Sequence, residues 1–419
     1  MDVKNKGYSK RGLILLCSIV YFTSYFSRKS FAAATAGMLQ AGVIEKDIAG
    51  LIGTVMFIMY GVGQIVSGVL GDMLPPKTLI LLGLGTTGVC NALMSVAPPV
   101  AMIPIWALNG LAQAMMWPPI VKLLSEYLDH EQYVRANLLV TAAAHVATIL
   151  LYLYVPVCLQ FFSWETVFIS AGVLAVVMFA VFFVGLNICL PEQASVGRRA
   201  EKVGSSVGDG EQRGLFSVMR EAGIIPVFFA IIAMGFLRDG IESWLPTLYA
   251  EAFKRDASEA TLVSVVLPIF AIACVTLITA LHKRLLKNEA FGAGVMFIIA
   301  MVLCVPLILL INQATGVISI ICLVLAALVC GVMHSCNFLL ISCLPGRFAR
   351  FGRSAGASGL CNACTYIGAA ISSYGIALLS AARGWQFTVG SWIAVAAIGL
   401  LCTALSYRKY TKFFADDLK

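Results

Sequence analysis

Two arginines stand where an apolar chain tolerates charge least. Arg28 lies near the centre of an apolar stretch from about Gly12 to Ile44, and Arg238 near the middle of another, from about Ile224 to Phe253. At mid-bilayer a guanidinium costs from about 3 to more than 10 kcal/mol, so it faces protein or a watery cavity instead of lipid. Its planar fork of donors suits two oxygens of one phosphoryl group, and its charge is never lost. A phosphate monoester carries about −1.5 to −2 charges near neutral pH. The chemistry these residues suggest is the binding of an anion. The alternative for each arginine is a structural pairing with a buried acid. Asp239 and Glu242 are the acids near Arg238, and Glu242, at i+4, shares its helical face.

Around these two residues lie others that could shape a site. Lys29 follows Arg28 directly, and Glu242 could reach across to it. His145 sits among Ala142, Ala143, Ala144, Val146 and Ala147. Small neighbours leave room for a ligand, and the imidazole can change its charge with that of the ligand. A histidine bonded to a neighbouring helix is the plainer alternative. Tyr60 and Gln64 are one helical turn apart. Tyr21, Tyr25, Trp117 and Tyr366 are candidate walls, although aromatics in such stretches also serve as packing and interfacial belts.

The elements that must hold these residues are membrane helices. Of 419 residues, 60% are hydrophobic and only 12% charged, about half the charge a soluble surface requires. Twelve apolar stretches long enough to cross a bilayer can be counted. They run over about 11–37, 48–71, 78–97, 100–127, 134–162 and 164–189, then 223–252, 261–281, 290–311, 316–343, 354–380 and 384–406. The one sizeable polar stretch, Pro191 to Arg213, separates six from six. The expected organisation is an all-α membrane protein: an N-terminal six-helix bundle over 1–190, an inter-half loop over 191–220 and a C-terminal six-helix bundle over 221–419. The two arginines then occupy the opening helix of each half, and a ligand bound by both would bridge the halves.

Lys and Arg placement predicts the orientation. With both termini cytoplasmic, only Lys46, Lys254, Arg255 and Arg383 fall on the far side, while Arg28, Lys29 and Arg238 lie within spans. The net charge of +8 is thereby explained by loops on one side, and nucleic acid is not an expected partner. The 13 cysteines are scattered through apolar segments, and Cys361 and Cys364 form a CxxC without a partner pair. They read as small lipid-compatible side chains. The sequence shows no phosphate-cradling Gly-Lys-Ser/Thr loop, no HExxH and no clustered nucleophile and base. An enzyme is not expected, nor is a metal or other cofactor.

Two resemblances sharpen this reading. Gly68-Val69-Leu70-Gly71-Asp72-Met73-Leu74-Pro75-Pro76-Lys77 resembles the loop motif of the major facilitator superfamily, with Asp72 and Lys77 in the charged positions and Met73 where a base is usual. Around Arg28, Tyr21-Phe22-Thr23-Ser24-Tyr25-Phe26-Ser27-Arg28-Lys29 resembles the first helix of the organophosphate:phosphate antiporters. So do Asn109-Gly110-Leu111-Ala112-Gln113 with Trp117-Pro118-Pro119 for the fourth, Arg238, Gly240, Ile241, Trp244 and Pro246 for the seventh, and Gly356 with Tyr366-Ile367-Gly368 for the eleventh.

The resemblance implies the major facilitator fold in the bacterial inner membrane and exchange of an organic phosphate for inorganic phosphate through one central site, and a monomer is expected. It places His145 beside the substrate and His334 near a family tyrosine. The resemblance implies an acid on the seventh helix that pairs with the helix-one lysine; Ser243 stands in that acid's usual position, and Glu242, one residue earlier, is expected to pair with Lys29 in its place. Gln64 stands where a lysine is common and Gly235 where a tyrosine is common. Both departures bear on the organic moiety more than on the anionic headgroup. Two other functions remain open at this point: a proton-coupled organic-anion symporter with Asp239 and Glu242 as proton carriers, and a transporter-like sensor of phosphorylated metabolites.

Overall fold

The computed structural model describes residues 9–128, 130–190, 215–282, 288–313, 316–351 and 354–415. Among them every regular element is a helix. The expected inter-half loop lies mainly outside the described residues, as does the side chain of Asp72.

The twelve expected spans are all present. Spans 1, 2 and 3 are Lys10–Gln40, Lys46–Met73 and Pro76–Met94. Span 4 comes in two pieces, Pro99–Ala114 and Trp117–Tyr127. The break falls where Pro118 and Pro119 lack the N–H groups an uninterrupted helix needs, so the helix restarts with proline in its first turn. Spans 5 and 6 are His130–Phe161 and Trp164–Cys189, and span 7 is Ile225–Ala252. Span 8 is likewise divided, into Ala257–Val263 and Val266–His282. It begins earlier than the apolar pattern suggests because the Asp256 carboxylate caps it, accepting from the Ser258 N–H at 2.8 Å.

Span 9 is Glu289–Leu310. Span 10 is Gly316–Asn337, continued by a π-helical turn over Phe338–Cys343 and a 3₁₀ segment over Leu344–Phe351. Spans 11 and 12 run on as Ser354–Phe413, broken at Gly384, whose φ of 75° and ψ of 174° are outside the helical region. Only glycine takes such a conformation without strain.

Nine described helices are long and apolar enough to cross a membrane, counting spans 11 and 12 as one. Spans 1 and 7 fall short of that criterion. They are the two that carry Arg28 with Lys29, and Arg238 with Asp239 and Glu242.

Contacts group the chain into two units. One comprises Met1–Ala34 and Met59–Gly208, the other Thr35–Ile58 and Asp209–Lys419. In the first, spans 3 and 6 cross at paired glycines. A Cβ on Gly172 would stand 3.1 Å from the carbonyl oxygen of Gly88. Small residues permit this approach, as membrane helices require when lipid supplies no hydrophobic drive.

In the second unit, spans 7 and 11 press still closer. A Cβ on Gly368 would lie 2.1 Å from the Ile232 oxygen, and one on Gly235 2.3 Å from the Thr365 oxygen. Residues 35–58 join this unit through span 11. The Ser373 hydroxyl donates to the Gly50 oxygen at 3.1 Å, and Thr54 donates to the Ala370 oxygen at 2.9 Å. At the end of span 1, the Gln40 side chain donates to Asp256 at 3.2 Å and accepts from the Ala257 N–H at 2.9 Å. Lys46 is ion-paired with Glu251, which also accepts from the Trp385 indole at 2.8 Å.

Candidate functional site

Within the first unit Arg28 is set among aromatic rings. Its Cζ lies 4.1 Å from the centroid of Tyr25 and 5.1 Å from that of Tyr60. Tyr21 packs at 5.0 Å from Tyr25 and 4.9 Å from Trp117. Tyr21 and Tyr25 are one turn apart on span 1, so they share a face, and Trp117 comes to them because the break in span 4 redirects the chain there. Ring faces attract a desolvated cation by about 2 kcal/mol and compete little for its N–H donors. Arg28 is thus flanked by two tyrosine rings.

The backing of span 1 is polar and fully packed. The Ser24 hydroxyl donates to Gln113 at 2.5 Å, Gln113 donates to Thr87 at 3.2 Å, and Ser30 donates to Asn91 at 3.0 Å. All five are buried. These bonds tie span 1 to spans 3 and 4 on either side of Arg28, and unpaired amides at that depth would be costly. They fix the rotation of the helix and therefore the direction of its guanidinium. Gln113 belonged to the fourth-helix resemblance; its bond to Ser24 gives that glutamine a physical role. The sequence offered a signal for the group in the serines spaced at 24, 27 and 30 along one face of an otherwise apolar helix.

Lys29 is buried, at 9% exposure, and His145 is half-buried on span 5. Gln64 is half-buried one turn beyond Tyr60. Lys77 donates to the Asn187 side chain at 2.7 Å, joining the ends of spans 3 and 6.

In the second unit Arg238 is engaged by an acid, and that acid is its own neighbour. Nε and Nη2 donate to the two Asp239 oxygens at 3.2 and 2.7 Å, and Nη1 donates to Asn337 Oδ1 at 2.5 Å. The pair is largely enclosed, with side-chain exposures of 12% and 8%. Glu242, the acid expected from i+4 spacing, is within electrostatic reach of Arg238 and also faces the His334 imidazole at 3.9 Å. Tyr366 is within electrostatic reach of the guanidinium. Span 7 therefore presents two acid–base pairs along one face, Arg238 with Asp239 and Glu242 with His334.

Sequence reasoning did not single out Asn337. It is the last residue before span 10 changes to a π-helical turn. Such turns re-aim side chains and often mark functional positions. Gly235 is also clarified: the helix crossing with Thr365 fills the space that any larger side chain would need.

A bundle of membrane spans, two of them interrupted by charge and organised around it, defines a multi-pass membrane transport protein and not an enzyme. The chain belongs to the Major Facilitator Superfamily, whose family profile matches residues 17–346. Among curated relatives it is 29% identical over 170 residues to the membrane sensor protein UhpC of Salmonella typhimurium, covering 40% of this chain and 38% of that one. It is 25% identical over 159 residues to a probable hexose phosphate transport protein of Chlamydia trachomatis, covering 38% and 35%. It is 34% identical over 104 residues to the glycerol-3-phosphate transporter of Haemophilus influenzae, covering 24% and 22%. The matched segments thus span well under half the length of these relatives, which are members of the organophosphate:phosphate antiporter family whose motifs the sequence resembles. Among solved structures, a bacterial homolog of the human lysosomal transporter Spinster, in an inward-facing and occupied conformation, superposes with a TM-score of 0.76. That likeness covers 99% of both chains at 12% identity and concerns the fold alone.

Proposed function

We propose that this protein carries a phosphorylated organic anion across the bacterial inner membrane by alternating access and exchanges it for inorganic phosphate. The observation that supports this most directly is a half-buried guanidinium on each of the two spans too polar to count as simple lipid-crossing helices. In this reading Arg28 and Arg238 bind the phosphoryl oxygens, one from each half of the chain, and His145 adjusts the charge of the site. Lys29 and Glu242 form an ion pair that is made and broken during the cycle. Tyr21, Tyr25, Tyr60, Trp117 and Tyr366 fit the organic moiety, with Gln64 and His334 completing its polar surroundings. Asp72 and Lys77 act at the cytoplasmic edge, and the protein works as a monomer.

The relatives that transport hexose phosphate and glycerol 3-phosphate support the same ligand class. Proteoliposomes test it. Phosphate on the trans side drives uptake of a labelled sugar phosphate, whereas an imposed pH gradient alone does not. Uptake that follows the pH gradient and ignores trans phosphate would replace exchange with symport.

A second reading has its own support in two relatives that are membrane sensor proteins, from Salmonella typhimurium and Escherichia coli. As a sensor the protein would bind sugar phosphate at the same residues with negligible flux. Intact binding by thermal shift, together with no counterflow in proteoliposomes, would establish that role.

A further inference from the structure

One lipid-facing stripe of the second unit turns from apolar to basic at its end. On span 12, Ile398, Leu401 and Leu405 are each more than half exposed, and Arg408 and Lys412 are exposed beyond them. Steps of three and four residues keep all five on one face of the helix. The other faces of these last turns are taken. Tyr410 and Phe414 are fully buried, and the Tyr410 hydroxyl donates to Glu289 at 2.7 Å. The Tyr407 ring lies 6.0 Å from that of Phe291 on span 9, and Thr411 accepts from the Asn288 amide at 2.8 Å. Lys409 is exposed, with its stem against Gly223, where an added Cβ would stand 2.6 Å from the Lys409 Cβ.

That contact brings a second element to the same place. A short helix, Leu215–Glu221, precedes span 7 and ends in a glycine turn. The Ile224 N–H donates to the Met219 oxygen at 3.0 Å and the Gly223 N–H to the Arg220 oxygen at 3.1 Å, with φ of 69° at Gly223. This paired cap joins the short helix to span 7 without a slack residue. Val218 and Met219 are buried, whereas Phe216, 71% exposed, and Arg220, one turn later, share the outward face. Ile225 and Phe229 then continue an exposed apolar face along span 7. Arg220, Arg408, Lys409 and Lys412 therefore gather at one end of two lipid-facing stripes. Glu221, exposed beside Arg220, offsets one of these charges, while Glu289 is committed to Arg347 and Tyr410. Asp416 and Asp417 lie outside the described residues.

We propose that this end of the second unit is a binding site for anionic phospholipid. The acyl chain runs along Leu401 and Leu405, and the headgroup phosphate meets Arg408, Lys412, Lys409 and Arg220. The order along the stripe is what selects a lipid. A soluble anion would need the cations alone, whereas apolar, aromatic and basic side chains in succession match the hydrocarbon, interface and headgroup layers of one leaflet. Phe216 is set to enter the interface beside that headgroup, as an exposed ring on an in-plane helix does. The short helix passes directly into span 7 through the Gly223 turn, so lipid held there fixes the start of the span that carries Arg238. The inference stands apart from the transport reading, since none of these residues belongs to the anion site.

Lipid titration of the purified full-length protein in detergent, read by native mass spectrometry, tests this. The probes are phosphatidylglycerol and phosphatidylcholine with the same acyl chains. Wild type is expected to retain phosphatidylglycerol more than about tenfold more tightly. R408Q/K412Q is expected to weaken it by about fivefold for each charge removed and to leave phosphatidylcholine unchanged. R408K/K412R, which keeps both charges, should bind as wild type does, and so should R383Q, which removes a cation at the other end of span 12. Equal retention of the two lipids by wild type overturns the inference, whether or not any variant folds. Unchanged phosphatidylglycerol binding in R408Q/K412Q overturns it by placing the lipid elsewhere, and an equal loss in R383Q does so by reducing the effect to overall charge. Displacement of phosphatidylglycerol by inorganic phosphate, but not by chloride at the same ionic strength, would make this a soluble-anion site and also overturn it.

Discussion

At the scale of single residues, the two arginines have different described neighbours. Arg28 is bounded by the rings of Tyr25 and Tyr60, whereas Arg238 is bounded by a carboxylate and an amide. Lysine should fail at position 28 for geometric reasons, because an ammonium keeps the charge but loses both the fork and the stacking surface. R28K is expected to weaken phosphate or sugar-phosphate binding by more than about tenfold while leaving thermal stability within about 1 kcal/mol. Titration beside a melting curve separates the two effects. At Glu242 the prediction is one of rescue. K29E and E242K should each abolish transport, and the combined swap should restore a measurable part of it if the two residues alternate as partners. A silent double mutant would rule out alternation with Lys29 and leave Glu242 to the His334 contact at 3.9 Å and the charge of Arg238. The part of the first arginine's setting on its own helix, Tyr21 and Tyr25, could be read by helical spacing, whereas its contact with Tyr60 on span 2 could not. The second arginine's setting could not, since neighbours in sequence point about 100° apart on a helix, and only the side-chain conformations of Arg238 and Asp239 bring them together.

At the scale of elements, glycines decide which helices touch. Spans 7 and 11 approach until a Cβ on Gly368 would stand 2.1 Å from a backbone oxygen. That neighbour cannot rotate away as a side chain would. G368L is expected to destabilise the protein by at least about 3 kcal/mol through overpacking, with loss of folded protein after detergent extraction. Gly384 is a different case. No neighbour lies within 4 Å of its added Cβ, but its φ is 75°. G384A should therefore cost about 1–3 kcal/mol, all of it conformational, seen as a fall in melting temperature. The boundaries of spans 1, 3, 6, 7 and 9 could be read closely from apolar run length. The divisions within spans 4, 8 and 10 were less legible, because an apolar run continues through a proline restart or a π-helical turn without a change in composition.

At the scale of the whole molecule, lipid exposure and a few buried polar contacts share control of stability. Span 6 shows lipid-facing side chains such as Val173, Val177 and Ile188, each more than half exposed. Such positions should tolerate apolar exchange freely. The contrast is Glu289, 1% exposed, which accepts from Arg347 at 2.9 Å and from Tyr410 at 2.7 Å. It joins span 9 to the 3₁₀ segment after span 10 and to the end of span 12. Removing only one charge leaves the other buried and unpaired, so R347M should destabilise by about 3–5 kcal/mol, and R347M with E289L by distinctly less. A double-mutant cycle in chemical denaturant measures the difference. The ion pair of Lys46 and Glu251 is more exposed, and K46A should alter stability by less than about 1 kcal/mol.

Composition and run length by themselves settled that this chain is a bundle of membrane helices, because hydrocarbon admits few other structures and requires about 20 apolar residues for each crossing. The isolated charges within those runs marked the candidate site, since each is too costly to be placed there without a partner or a ligand. Only the tertiary structure decided which partner each charge has. That depends on helix rotation and on side-chain conformation, set by contacts such as Ser24 with Gln113 and Gly235 with Thr365, between residues far apart in the chain and invisible to periodicity. The same apolar pattern would accommodate Arg238 facing Glu242. The packing of spans 7, 10 and 11 gives its hydrogen bonds to Asp239 and Asn337 and leaves Glu242 within electrostatic reach only.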